Sequence, residues 1–163
     1  MKSNAKHKEK VSLIVALSKN HPKMINEIFH LLQTGTEVER GTIAEVLKFI
    51  SKDNPKILIK YIDVLIHYID YKAPRVKWGI PESIGNLAKE YPDIAAKAIP
   101  KLLGNTADES TVIRWCAAYA LTEIALYNPT THKQLIPLFQ QFIENEQNNG
   151  VRNVYTKAMK KIS

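Results

Sequence analysis

The amino-acid sequence predicts an all-α chain. The expected architecture is a right-handed α–α superhelix of about four helix pairs behind a leading N-terminal helix, with residues 1–163 as a single domain. Two residue series of one period and a lack of strand signals carry this prediction. Pro22, Pro55, Pro92 and Pro129 are spaced 33, 37 and 37 residues apart. Each follows a polar stretch and opens an apolar run, where proline suits a first helical turn because it brings no N–H to leave unpaired. Lys10, Arg40, Lys77, Arg114 and Arg152 form the second series. Apolar residues follow three and seven positions later, as Leu13/Leu17, Ile43/Leu47, Ile80/Ile84, Ala117/Leu121 and Tyr155/Met159. That spacing marks one buried helix face. With 6 glycines and 8 prolines and no alternating strand pattern, a β-rich fold is excluded.

Taken in order, the helices are expected at 5–19, 22–33, 37–52, 55–70, 74–90, 92–104, 109–127, 130–146 and 149–162. Gly35, Gly104 and Gly150 fall at helix ends, and Asp108 or Ser110 is expected to cap the helix that carries Arg114. Pro100 and Pro137 each lie eight residues beyond a series proline. They deprive the carbonyls of Ala96 and Lys133 of a donor, so both helices should bend there. Pro81 does the same to the Lys77 carbonyl. A helix pair cannot bury its apolar faces alone, so neighbouring units must cover them.

The segment Ala98-Ile99-Pro100-Lys101-Leu102-Leu103, then Asp108, Val112-Ile113-Arg114, Ala117-Ala118, Ala120-Leu121 and Ile124-Ala125 resembles a complete HEAT repeat. Leu135-Ile136-Pro137-Leu138, Val151-Arg152, Ala158-Met159 and Ile162 repeat the pattern. In the first two units His30 and Asp63 stand where the later ones carry Pro137 and Pro100. The resemblance spans nearly the whole chain and implies an α-solenoid that acts as a scaffold.

Composition narrows the function classes. The apolar stretch 56–69 is broken by Lys60, Asp63 and His67, short of the roughly 18 uninterrupted residues a membrane span needs. The lysine-rich residues 1–10 precede no signal-peptide apolar region, and Cys116 is the single cysteine, so a reducing, cytoplasmic setting is expected. The net charge of +7 is uneven: residues 1–81 hold 14 Lys/Arg against 8 Asp/Glu, and residues 82–163 hold 9 against 8. That asymmetry fits either attraction of a polyanion or a solubilising cap. His7, His21, His30, His67 and His132 lack metal-ligand spacing, and no phosphate loop or nucleophile elbow occurs. Neither an enzymatic activity nor a cofactor is expected.

Five residues form the candidate partner-binding stripe: Trp78, Glu82, Trp115, Tyr119 and Glu123. The tryptophans stand 37 residues apart, each just after a basic-series position, with Glu82 and Tyr119 four residues on. These positions avoid the buried register and are expected beside the core, bordering a concave face that receives a protein segment. Tryptophan and tyrosine suit such a face because they offer large rigid area with a polar handle. The alternative candidates are Lys6, Lys8, Lys10, Arg40, Lys48 and Lys52, which would bind nucleic acid through its phosphates. The basic series itself has two readings, a phosphate ladder or pairing with carboxylates of the adjacent unit such as Asp70 and Asp108. Ile113-Arg114, Tyr119-Ala120-Leu121, Glu123 and Asn128-Pro129, with Trp78 and Glu82 four apart, also resemble a segment of the HEAT-like DNA alkylation-repair glycosylases. Glu82 replaces that family's aspartate, Gly79 and Pro81 depart from the surrounding pattern, and the chain is shorter by several helices.

Overall fold

The computed structural model describes residues 2–162, with side chains from Lys6 onward. Among these residues there is no strand. The helices are α1 (Lys2–Asn20), α2 (Met24–Thr34), α3 (Glu37–Asp53), α4 (Ile62–Tyr68), α5 (Pro74–Leu87), α6 (Pro92–Ala96), α7 (Ile99–Gly104), α8 (Thr111–Tyr127), α9 (His132–Asn145) and α10 (Asn149–Ile162). None is long and apolar enough to cross a membrane.

Local chemistry sets most boundaries. Thr36 and Glu39 form a reciprocal capping box at the start of α3: the Glu39 N–H donates to Thr36 Oγ1 at 3.3 Å and the Thr36 N–H to Glu39 Oε2 at 2.8 Å. Pro92 opens α6, while Pro55 and Pro129 open 3₁₀ turns, Pro55–Tyr61 and Pro129–Thr131, that lead into α4 and α9. Ser110 stands at the N-cap of α8 without a side-chain cap bond; Asp108 instead accepts the Ser110 N–H at 2.9 Å. Pro100 does more than bend its helix. The chain breaks at Lys97 and Ala98 into α6 and α7, with Pro100 in the first turn of the second piece. Pro137 and Pro81 are carried inside continuous helices, α9 and α5.

The most extensive packing is α3 against α5, α5 against α8 and α8 against α10, a row that α1 continues against α3. The helices between them lie on that row, α2 on α3, α4 on α5, α7 on α8 and α9 on α10. Ile43, Leu47, Ile80, Ile84, Ala117, Leu121 and Tyr155 are buried as the three/seven spacing requires, and Met159 packs at the edge of the core. In α1 the register is different. Val11 turns inward with Ile14 and Val15 beside it, whereas Leu13 is 60% exposed and Leu17 39%. The face of α1 that meets α3 therefore lies two residues earlier than the series implied.

Close approach along the row depends on glycine. A Cβ on Gly79 would stand 2.4 Å from the Ala44 carbonyl oxygen of α3, and one on Gly85 would stand 2.7 Å from the Tyr119 ring of α8. Gly79→Ala is therefore expected to cost about 1–3 kcal/mol of folding free energy through overpacking against backbone. Gly104 has an ordinary helical backbone and open space around its Cα. Gly104→Ala should stabilise the fold by about 0.4–1 kcal/mol. Urea denaturation of both variants tests the pair, and a harmless Gly79→Ala would rule out the close α3–α5 contact.

Candidate functional site

Side-chain bonds between elements have a common span. Lys77 to Asp108, Asn86 to Ser51, Asn105 to the Ile69 carbonyl, Arg114 to Glu146, Tyr119 to Asn86 and Asn128 to Asp93 join residues separated by 31, 35, 36, 32, 33 and 35 positions. Partners thus sit about one sequence period away.

The basic series is absorbed by this pattern. Arg40 donates to the Leu32 and Gln33 carbonyls and to the Tyr71 hydroxyl. Lys77 meets Asp108 at 2.8 Å, and Arg114 grips both Glu146 oxygens at 2.8 and 3.1 Å while donating to the Asp108 and Glu109 carbonyls. Arg152 donates to the Glu146 carbonyl. Arg40, Arg114 and Arg152 donate to carbonyls just before their own helices, and Arg40, Lys77 and Arg114 also reach a partner 31 or 32 residues further on. Lys10 is exposed and outside this scheme. The carboxylate expected from Asp70 goes elsewhere, to Lys101 at 2.9 Å. Of the two readings, pairing with a distant carboxylate describes Lys77 and Arg114, whereas Arg40 and Arg152 are taken up by carbonyls and, for Arg40, the Tyr71 hydroxyl.

The stripe divides into a tied part and an open part. Tyr119 donates to Asn86 at 2.7 Å, and Asn86 donates to Ser51 and to the Lys48 carbonyl, so one chain of bonds crosses α8, α5 and α3. Burial pushes the Tyr119 phenol up to about 12. Glu82 lies 3.8 Å from Lys48 and receives the Cys116 thiol at 3.6 Å. Burial raises that thiol's pKa, which makes Cys116 a poor nucleophile.

The two tryptophans line different cavities. Trp78 is half-buried, its indole N–H enclosed without an acceptor, and it walls a cavity of about 220 Å³ with His7, Lys8, Gly41, Glu45, Lys48, Arg75 and Gly79. Trp115 is 38% exposed and stacks on Tyr119 with rings 2° from parallel and centroids 5.8 Å apart. Both line a groove of about 300 Å³ between α8 and α10, with Glu123, Asn153, Val154, Lys157 and Lys161. Burial raises the Glu123 pKa, opposed by the nearby Lys161 ammonium. Four stripe residues thus border cavities, while Glu82 sits between helices.

The alternative cation set is scattered. Lys6, Lys8, Lys10 and Lys52 are exposed, and Arg40 is tied down. Lys8 and Lys48 share the Trp78 cavity, joined by Arg75, which is not among the cations expected from the sequence. Among the described residues no group of three His, Cys, Asp or Glu side chains is placed to hold a metal ion.

Two carboxylates should show opposite pH behaviour. The Arg114 guanidinium holds Glu146 below the usual carboxylate range, so its stabilisation is present above the unfolded pKa and lost as pH falls through the lowered folded value. Glu123 is raised, so its ionisation weighs against folding above its raised pKa and ceases to do so below the unfolded one. Urea denaturation at pH 7 should find Glu146→Gln destabilised by about 1–3 kcal/mol. Glu123→Gln should be stabilised at pH 7, with its gain vanishing near pH 4. Equal responses of the two variants would reject these environments.

No protein-family model matches the chain, and comparison with curated proteins and with solved structures returned no match.

Proposed function

We propose that the chain is a non-enzymatic interaction module of the HEAT-repeat type. In this reading it is a right-handed superhelix whose second helices, α3, α5, α8 and α10, offer a concave face to a partner protein. Supporting the superhelix are the row of second helices and the cross-helix bonds that span about one period. The observation that carries the binding role is the Trp115–Tyr119 stack, which leaves a large rigid aromatic face open above a groove.

The groove's chemistry specifies its occupant. Trp115, Val154 and Ala158 offer an apolar seat, and Lys157 and Lys161 stand on the rim against the single half-buried carboxylate of Glu123. The chain's net charge of +7 adds long-range attraction for anions. The partner segment therefore presents an apolar anchor flanked by acidic residues. Tyr119 supports the seat from below through Asn86 and is the poorer residue to mutate, because its loss would also open the α5–α8 contact.

Affinity capture with mass spectrometry, followed by titration of the captured acidic segment, tests the reading. Trp115→Ala should weaken binding by about 2 kcal/mol or more, as for a central aromatic anchor, and leave the helical circular dichroism unchanged. Charge reversal at Lys157 and Lys161 should slow association. Retention of full affinity by Trp115→Ala would remove the groove from consideration.

A further inference from the structure

The basic residues of this fold fall into two groups. Lys77, Lys101 and Arg114 each meet a carboxylate at 2.8 or 2.9 Å, and Arg40 spends its donors on carbonyls and a phenol. The cations around the Trp78 cavity are held less closely. Lys8, from α1, is exposed with no ion-pair partner among the described residues. Lys48, from α3, makes a long ion pair with Glu82 at 3.8 Å and sits over the Phe49 ring. Arg75, from α5, contacts the His7 ring at 3.3 Å rather than a carboxylate. Glu45, the acid lining the cavity, is taken by His7 at 2.7 Å.

We propose that this cavity, where Lys8, Lys48 and Arg75 converge from three helices, is a binding site for a phosphoryl oxyanion. A space of about 220 Å³ stays open beside the cations, with Gly41 and Gly79 in its lining. That space admits a phosphate group with room for what it is attached to. The Trp78 ring forms one wall and keeps part of the site out of water, where charge-assisted hydrogen bonds gain strength. Arg75 presents a planar fork suited to two phosphate oxygens, and the two lysines supply point charges from either side. The site is separate from the Trp115 groove and does not depend on it. Its ligand is either free phosphate or the phosphodiester backbone of a single strand.

The test uses the full chain carrying Trp115→Phe, which leaves the Trp78 indole N–H as the sole indole signal in ¹⁵N NMR. Inorganic phosphate and a single-stranded oligothymidylate are titrated separately, with ionic strength matched by sodium chloride. A saturable shift of the indole signal with either probe supports the site, and the probe that saturates identifies the source. Arg75→Ala and Lys48→Ala should each weaken that binding by about tenfold, the loss of one charge-assisted bond. Because Arg75 also packs on Gly41, Lys8→Ala provides a variant with no structural partner to lose; it too should weaken binding. For the oligonucleotide, removing one cation should also lower the log-log salt slope by roughly one unit. No saturation with either probe, or undiminished affinity in Lys8→Ala and Lys48→Ala, overturns the proposal.

Discussion

The close lateral contact of α3, α5 and α8 is the constraint on which the rest of the structure depends. Two helices can approach this nearly only where at least one of the facing residues is small: Gly79 meets Ala44, and Gly85 leaves room for the Tyr119 ring and the Ala120 backbone. Once the backbones are so near, apolar side chains such as Leu47, Ile80, Ile84 and Leu121 are sealed from water completely. The departure of Gly79 from the surrounding pattern thus has a packing cause. A side chain there would push α3 and α5 apart and open the seam that both helices need.

Close packing creates a second requirement, at the turns. Where helices end, carbonyls lack intrahelical donors, and a neighbour pressed against them excludes the water that would otherwise serve. Arg40, Arg114 and Arg152 answer this locally by donating to the carbonyls that precede their own helices. Asn105 does it across units, reaching the Ile69 carbonyl. Arginine suits the task because one guanidinium can serve a carbonyl and a carboxylate together, as Arg114 does with Asp108 and Glu146. Three members of the basic series, Arg40, Arg114 and Arg152, thus serve turns that need the same kind of donor.

This explains which features were legible in the sequence. The proline and basic series could be read because each answers a local demand that recurs once per unit. The placement of Trp78, Trp115, Tyr119 and Glu123 beside the core followed from the same register. What escaped depended on contacts that periodicity does not encode. Leu13 and Leu17 fit the apolar spacing, but α1 meets α3 through Val11, and the choice between faces was made by packing. Pro100 and Pro137 occupy matching positions, yet only the first coincides with a break between helices. The division of the stripe was likewise invisible, because the Tyr119–Asn86–Ser51 bonds depend on how far apart α3, α5 and α8 lie.

The same reasoning accounts for two cavities of unlike chemistry along one row. In the middle of the row, polar side chains at stripe positions find partners on the next helix, so Glu82, Asn86 and Tyr119 are consumed by the fold. Toward the ends the second helices have different neighbours. Beside α10 the facing residues are Val154, Ala158, Lys157 and Lys161, small or able to swing away, so Trp115 keeps an open face. Beside α1, His7 takes up Glu45, the acid in the lining of the cavity that Lys48 and Arg75 share. Positive charge is then left over where the row begins, and aromatic surface where it approaches α10. Trp78 and Trp115, 37 residues apart in the sequence, acquire different surroundings because the helices beside them differ.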